Sequence, residues 1–189
     1  MRVFYSLVLA IGLLGGSGSV FAQGRSSPYA NSLAPYIPSP QMIVEHMLEL
    51  ATVQPGETVY DLGSGDGRVL ITAVQQFHAH AVGVEISPEI ARAASDRIAK
   101  MGLQNHARVI QGDIRDADLS GADVVTMYLL TDSNDLLRPK LEKSLKPGTR
   151  VVSYSFKVPG WKYNKMEEDD PYGNGRKHAI YLYVMPPHK

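Results

Sequence analysis

The sequence predicts an α/β fold in which a doubly wound, mostly parallel sheet ends in an antiparallel hairpin. Helical and extended patterns alternate along most of the 189 residues, and a glycine-rich turn directly follows the first extended segment. Only residues 157–160 separate the fifth extended segment from the next, which is too short for a crossover helix. We therefore expect helices on both faces of one sheet, in a single domain over residues 35–188.

The composition narrows the classes of function. The chain is 44% hydrophobic and carries 19 basic and 19 acidic residues, so its formal net charge is zero. A balanced charge gives no electrostatic reason to expect a nucleic acid partner. The absence of cysteine excludes cysteine nucleophiles and thiolate metal sites, and the six histidines lack metal-ligand spacing, so we treat them as structural. We expect a monomer without a metal site.

The first 22 residues have the pattern of a targeting segment. Arg2 precedes a run of apolar residues, which is followed by small residues and by a cleavage-like Val20-Phe21-Ala22. We therefore expect a signal peptide over residues 1–22. An uncleaved membrane anchor is the alternative, because no charge occurs between Arg2 and Arg25. Residues 23–34 are expected to form a linker.

The first helix of the domain is expected to begin at Ser39-Pro40, with Ser39 as its N-cap. Apolar side chains at helical spacing predict its inward face, and Pro55-Gly56 ends the element. The inward residues are Ile43, Val44, Met47, Leu48 and Ala51.

The later elements follow from the same periodicities and from proline and glycine at their ends. Strands are expected over residues 58–62, 81–86, 109–110, 122–129, 149–156, 161–168 and 178–185. The 122–129 segment is apolar on both faces, which is typical of a central parallel strand. Helices are expected after the first, second and fourth strands. Their inward residues are Val69, Leu70, Ala73, Val74 and Phe77, then Ile90, Ala94, Ile98 and Met101, then Leu136, Leu137, Leu141 and Leu145.

The turn after the first strand reads Asp61-Leu62-Gly63-Ser64-Gly65-Asp66-Gly67. Glycines two apart allow a sharp turn and let a ligand lie against bare backbone as the chain enters a helix. The dinucleotide fingerprint has its third glycine three places on, so a dinucleotide oxidoreductase is disfavoured. Asp61 and Asp66 would repel a phosphate but accept hydrogen bonds from an ammonium group.

Two further acids follow the next two strands. Glu85 ends the second strand, 20 residues after Gly65, where a carboxylate can accept from both hydroxyls of a ribose. Gly112-Asp113 ends the third strand, and its carboxylate is placed to accept from the exocyclic amine of an adenine. The ends of three strands thus predict one nucleoside-binding site.

These features resemble the class I S-adenosylmethionine-dependent methyltransferases, a family with a Rossmann-like seven-strand sheet. The glycine-rich motif and the two acids recur there in the same order and spacing. Residues 35–40, 59–68 and 145–153 further resemble the small protein-lysine methyltransferases of archaea and their mitochondrial relatives. Those relatives include the methyltransferase that acts on the c-subunit of ATP synthase.

The resemblance implies S-adenosyl-L-methionine as cofactor and a protein lysine as acceptor. It implies that Tyr36 and Ser39 cover the methionine end of the cofactor and that Asp61 meets its amino group. Glu85 and Asp113 would hold the ribose and the adenine. The implied cofactor-binding residues are Tyr36, Ser39, Asp61, Gly63, Ser64, Gly65, Asp66, Glu85, Ile86, Asp113, Ile114 and Tyr128.

The residues on the acceptor side are less clearly marked. Tyr128-Leu129-Leu130 lies where many amino-methylating relatives carry an acidic or amide residue, two prolines and an aromatic ring, and none of that tetrapeptide is present. The candidate catalytic residues are Tyr36, Tyr128 and Asn134, with Trp161 as a further wall of a dry channel. Methyl transfer would be an in-line attack by a neutral, desolvated amine on the sulfonium methyl group. It needs the two groups to be close and aligned, and it needs no dedicated base.

Several alternatives stay open. A small-molecule methyltransferase and a non-catalytic cofactor-binding protein fit the same loop and acids. Asp66 is also consistent with a helix cap, Tyr36 with pinning the linker, and Tyr128 and Trp161 with packing. The acids at residues 167–170 are expected to form a solvated turn, and attraction of a basic substrate is the alternative. The N-terminal segment predicts an exported, periplasmic or membrane-anchored protein, whereas the cofactor supply favours the cytoplasmic side or an organelle.

Overall fold

The structure, a computed structural model, describes residues 32–186. The expected signal peptide or anchor and most of the expected linker lie outside the described residues. No helix within residues 32–186 is long and apolar enough to cross a membrane. The elements are α1 (Gln41–Leu50), β1 (Thr58–Leu62), α2 (Arg68–Phe77), β2 (His80–Glu85), α3 (Pro88–Lys100), β3 (Ala107–Gln111), β4 (Val124–Met127), α4 (Thr131–Ser144), β5 (Arg150–Tyr154), β6 (Lys165–Asp169) and β7 (His178–Val184).

All seven strands belong to one sheet with the order β3-β2-β1-β4-β5-β7-β6. The first five strands pair in parallel, and β7 pairs antiparallel with both β5 and β6. The predicted mixed sheet with an antiparallel end is confirmed. The strand order reverses between β1 and β4, and ligands of such sheets bind beyond the carboxyl ends of the strands at this reversal.

Two apolar cores lie on opposite faces of this sheet. α1 and α2 pack on one face, and α4 packs on the other through Leu137, Leu141 and Leu145. All five predicted inward residues of α1 are buried, which confirms its helical period. Leu136 and Met101 were expected to face inward but are exposed. Leu136 directly precedes Leu137 in α4 and therefore faces a different side of the helix, and Met101 follows the last residue of α3.

The observed ends of several elements differ from the expected ones. β3 is longer than residues 109–110, because its pairing with β2 extends from Ala107 to Gln111. The expected strand 161–168 begins only at Lys165. Its pairing with β7 extends through Asp169, so most of the acids at residues 167–170 belong to a strand rather than to a turn.

The acidic strand β6 has a specific partner on α1. His46 contacts Asp169 through Nδ1 and Glu167 through Nε2, the latter at 2.5 Å. Burial opposes protonation of this imidazole, but hydrogen bonds and charge from the two carboxylates outweigh it and raise the pKa of His46. The ion pairs join the first helix of the domain to the outermost strand.

The segment before α1, residues 35–39, is named the cover segment here. The N-cap of α1 is Pro40 rather than the expected Ser39, and no side chain caps the helix. Ser39 instead uses its carbonyl, which accepts a hydrogen bond of 2.6 Å from Nη1 of Arg68. Because Arg68 also pairs with Asp66 in the glycine-rich turn, the cover segment is attached directly to that turn.

Candidate cofactor and active site

A cavity of about 640 Å³ opens at the carboxyl ends of β1, β2 and β4. The cover segment forms part of its wall, together with the glycine-rich turn and the ends of the strands. All twelve residues implied as cofactor-binding line this cavity, although their individual roles remain predictions. The candidate catalytic residues Tyr36 and Tyr128 line it too, whereas Asn134 does not.

The glycine-rich turn brings backbone rather than side chains to the cavity. Gly63, Gly65 and Gly67 all have positive φ, a conformation that side-chain-bearing residues rarely adopt. The amides of Gly63 and Ser64 both donate to the carbonyl of Val84, so the turn is held against β2. A Cβ atom on Gly65 would lie 2.7 Å from Cε2 of Tyr36. The ring of Tyr36 therefore lies directly on the bare backbone of Gly65.

Asp61 presents a buried carboxylate with one hydrogen-bond partner. Its side chain is at the end of β1, and its Oδ1 accepts from the hydroxyl of Thr126 at 2.8 Å. Burial, with smaller contributions from Glu85 and Asp66, raises the pKa of Asp61 to about 7, although the Thr126 hydrogen bond opposes this shift. No cationic side chain among the described residues pairs with Asp61. The site can therefore accept a cation from a ligand.

Glu85 links the glycine-rich turn to the start of α3. Its Oε2 accepts from the amide of Gly65 and its Oε1 accepts from the amide of Ser87, each at 2.9 Å. A carboxylate oxygen has two lone pairs, so each oxygen keeps acceptor capacity for a ligand hydroxyl. The side chain is buried at the cavity wall, and these two amides fix its orientation.

Asp66 and Asp113 differ from Asp61 because arginines neutralise them. Asp66 pairs with Arg68 at 2.8 Å and with Arg97 at 3.2 Å, and Asp113 pairs with Arg115. Burial opposes the shift at Asp66, yet hydrogen bonds from Arg68 hold the pKa of Asp66 below its usual value. The expected helix-cap role of Asp66 is confirmed in part, because Gly67 is the N-cap residue of α2 but Oδ1 of Asp66 accepts a hydrogen bond of 3.2 Å from the amide of Arg68, the first residue of the helix.

Two residues expected on the acceptor side lie elsewhere. Asn134 is fully buried in the first turn of α4, and its amide donates to the carbonyls of Phe156 and Lys157. These bonds attach α4 to the chain after β5, so the expectation of an acceptor contact at Asn134 is corrected. Trp161 donates to Glu142 at 2.7 Å and packs on Tyr183, which agrees with packing rather than a channel wall.

Two residues that shape the site, Thr126 and Gly83, were not predicted from the sequence. Thr126 holds Asp61, but a threonine inside an apolar strand carries no signal of a ligand site. Gly83 lies in β2, where a Cβ atom would meet Ser64 Oγ at 2.5 Å and Leu70 Cδ1 at 2.8 Å. A lone glycine inside a predicted strand signals such a close approach, and here it lets the glycine-rich turn pack on β2.

The cavity suits a cationic nucleoside better than a phosphate ligand. Among the described residues that line it, Arg68 is the one basic side chain, and it is paired with Asp66. The acidic lining residues are Asp61, Asp66, Glu85, Glu89 and Asp113. An ammonium or sulfonium group would meet acids and the ring of Tyr36, and both interactions are favourable. The residues present therefore fit S-adenosylmethionine.

Comparison with known proteins also points to a methyltransferase. Residues 61–165 match the family model described as ANTKMT methyltransferase domain. A protein-lysine N-methyltransferase of Saccharolobus islandicus is 48% identical over 82% of this chain and 96% of its own. The adenine nucleotide translocase lysine N-methyltransferase of Mus musculus is 33% identical over 67% of this chain and 55% of its own.

A solved structure is similar over nearly its whole length. It is that of an RNA methyltransferase from Salinibacter ruber in complex with S-adenosyl-L-homocysteine, which is 38% identical to this chain. The match has a TM-score of 0.74 and covers 81% of this chain and 96% of that one. The fold, the acid-lined cavity and these relatives agree that the chain belongs to the ANTKMT methyltransferase family within the class I S-adenosylmethionine-dependent methyltransferases.

Proposed function

We propose that this chain transfers a methyl group from S-adenosylmethionine to the side-chain amine of a protein lysine. The observation that carries the proposal is the buried, cation-free Asp61 in an acid-lined cavity that continues to the aromatic wall at Tyr128. The similarity to a protein-lysine N-methyltransferase over nearly its full length supports the choice of lysine. Both substrates are then cations that meet acids and aromatic rings.

Each part of the cavity has a separate task in binding. Asp61 would accept the ammonium of the methionine end, Glu85 the ribose hydroxyls and Asp113 the adenine amine. Tyr36 lies on the turn at Gly65 and would contact the bound cofactor there. The bound cofactor supplies an electrophilic methyl group on a positively charged sulfur. The chain contributes alignment and a desolvated cavity rather than a nucleophile.

The acceptor amine must be neutral before it can attack. A lysine amine in water has a pKa near 10.4, and an apolar environment favours its neutral form. Tyr128 is the polar side chain at the β4 side of the cavity, and burial raises the pKa of its hydroxyl. The hydroxyl therefore stays protonated, and its oxygen can accept a hydrogen bond from the amine and orient it.

Methyl transfer to a cell extract tests the proposal. The full chain would be incubated with methyl-labelled S-adenosylmethionine and extract, beside Asp61→Asn. Asp96→Asn is the matched control, because it removes one carboxylate charge from an exposed position on α3. We expect label in discrete protein bands, mapped to lysine, from the wild type and from the control variant only.

Other distributions of label would contradict the proposal. Label that is resistant to protease and sensitive to ribonuclease would show that the acceptor is RNA and not a protein lysine. Label confined to small molecules would indicate a metabolite methyltransferase. Stabilisation by S-adenosylmethionine without transfer to any fraction would favour the non-catalytic cofactor-binding alternative.

We also propose that residues 1–22 act as a signal peptide or membrane anchor and place the domain at or beyond a membrane. The apolar run after Arg2 and the cleavage-like Val20-Phe21-Ala22 support this. N-terminal sequencing of protein isolated from separated membrane and soluble fractions tests it. Met1 retained on protein found only in the soluble fraction would refute both forms of the proposal.

A further inference from the structure

An aromatic row continues from the cavity across the α1 face of the sheet. It consists of Tyr128 after β4, Tyr154 at the end of β5, and His178 at the start of β7. The ring centroids of Tyr128 and Tyr154 are 4.5 Å apart, and those of Tyr154 and His178 are 5.7 Å apart. Tyr172 extends the row outward, with its ring edge-on to His178 at 5.6 Å. The row thus runs from the cavity wall to the surface.

The middle of the row is held rigidly. Tyr154 is fully buried, and its hydroxyl lies 3.0 Å from Nδ1 of His178. Burial raises the pKa of Tyr154 to about 12, so its hydroxyl remains protonated beside His178. Ser155, which follows Tyr154 and whose hydroxyl lies 3.4 Å from Nδ1 of His178, has a φ of 62°. Strained backbone of this kind tends to occur at functional sites.

The outer end of the row is displayed by an ordered turn. Residues 170–177 connect β6 to β7, and we call them the hairpin loop. Asp170 accepts from the amides of Asn174 at 3.1 Å and Gly175 at 2.7 Å, which fixes the course of this loop. Tyr172 is 59% exposed even though its backbone is held in this way. A fixed, exposed aromatic side chain beside a cavity can bind a partner at little entropic cost.

The inner end of the row has an unused hydrogen-bonding group. Tyr128 lines the cavity, and its hydroxyl has no hydrogen-bond partner among the residues that the structure describes. Glu85 and Asp113 lie on the β2 and β3 side of the sheet reversal, whereas the aromatic row lies on the β4, β5 and β7 side. The two sides are therefore available to two different substrates.

We propose that the acceptor lysine reaches the hydroxyl of Tyr128 from the surface at Tyr172, the exposed outer end of the aromatic row. This inference rests on the proposed function and names its acceptor path. The hairpin loop is then the element that selects the acceptor. Aromatic faces attract an ammonium group and pack against the methylenes of its side chain.

The charges near the outer end of the row nearly balance, which gives a nucleic acid no electrostatic attraction there. The four consecutive acids at residues 167–170 end with the first residue of the hairpin loop, and two basic residues, Arg176 and Lys177, end the loop. Lys177 lies 3.9 Å from Glu168, so part of that basic charge is neutralised. Lys165 and His46 pair with the acids of β6, so the hairpin loop and β6 present no excess of positive charge that would attract phosphates. An exposed aromatic can also stack on a base, so an RNA ligand is included in the test.

Tyr172→Ala tests the path, with Tyr163→Ala as the matched control. Tyr163 is also an exposed tyrosine of the C-terminal hairpin region, but it packs on Tyr181, which belongs to the core on the other face. The probe is a short fluorescent peptide with a single lysine, and a second peptide carries norleucine in its place. Binding is measured by anisotropy with S-adenosylhomocysteine present, and methyl transfer is measured with labelled S-adenosylmethionine.

We expect Tyr172→Ala to raise the Kd and the KM for the lysine peptide about tenfold while kcat and the affinity for S-adenosylhomocysteine stay unchanged. Tyr163→Ala should match the wild type, and the norleucine peptide should bind more weakly than the lysine peptide. Lysine methylation that is unaffected by Tyr172→Ala would overturn the path and leave the proposed function intact. A wild type that neither binds nor methylates the peptide, or that binds oligouridine more tightly, would overturn both.

Discussion

Replacing Asp61 by asparagine should stabilise the cofactor-free protein and weaken cofactor binding at the same time. Asp61 is buried without a cationic partner, so its negative charge costs folding free energy until a ligand supplies the counter-charge. Asparagine keeps the shape of the side chain, and its Oδ1 can still accept from Thr126. The substitution therefore removes the charge and leaves the observed hydrogen bond in place.

The pKa of Asp61 sets the size and the pH range of this effect. The pKa rises from 3.8 to about 7 on folding, which corresponds to about 4 kcal/mol at most. Between these two values the folded chain binds more protons at Asp61 than the unfolded chain does, so stability falls as the pH rises through this range. Water in the open cavity reduces the cost, and we expect a gain of about 1 to 4 kcal/mol at pH 8.

Urea unfolding of the cofactor-free wild type and of Asp61→Asn at pH 8 and pH 4 measures this gain, and calorimetric titration with S-adenosylhomocysteine measures binding. The two proteins should have nearly equal stability at pH 4, and the variant should bind the ligand at least about tenfold more weakly at pH 8. A variant that is less stable than the wild type at pH 8 would refute the reasoning. A stability difference that does not change with pH would refute it as well.

Three other predictions concern the same site and its supports. Binding of S-adenosylhomocysteine to the wild type should weaken by up to about tenfold per pH unit below pH 7, because Asp61 must ionise, and should release a proton detectable by calorimetry in two buffers. In urea unfolding, His46→Gln should lower the free energy of unfolding by about 1 kcal/mol at pH 6 and by little at pH 9. The reason is that protonated His46 stabilises the fold only at pH values below its raised pKa. A loss of stability that is the same at both pH values would contradict this. Gly65→Ala should weaken ligand binding about tenfold by displacing Tyr36. Gly56→Ala is the control, because Gly56 also has a positive φ but no atom lies near the added methyl, and it should leave ligand binding unchanged.

The parts of the site that were predictable come from short stretches of sequence. The glycine-rich turn is recognisable because its residues are consecutive, Glu85 because it ends β2, and Asp113 because it lies two residues after the end of β3. The aromatic row is different, since Tyr154 and His178 meet only through the antiparallel register of β5 and β7. Nothing in one sequence fixes that register, so the row was not foreseen and Trp161 was considered in its place.

Helix phase explains the two clearest errors on the α4 side. Asn134 was chosen for its distance along the chain from Tyr128, but α4 begins at Thr131 and turns the amide toward the end of β5. Leu136 and Leu137 are both apolar, and only the start of the helix decides which of them faces the sheet. The capping residue of α4 is Leu130, which gives no sequence signal for that start.

The cover segment has a consequence for the thermodynamics of cofactor binding. It contains Pro35 and Pro38, Pro40 follows it, and each proline fixes one backbone angle before any ligand arrives. Arg68 further restrains it through the carbonyl of Ser39. Little conformational entropy remains for the segment to lose, so the ligand contacts proposed for Tyr36 and Ser39 would be offset less by ordering than those of a flexible lid.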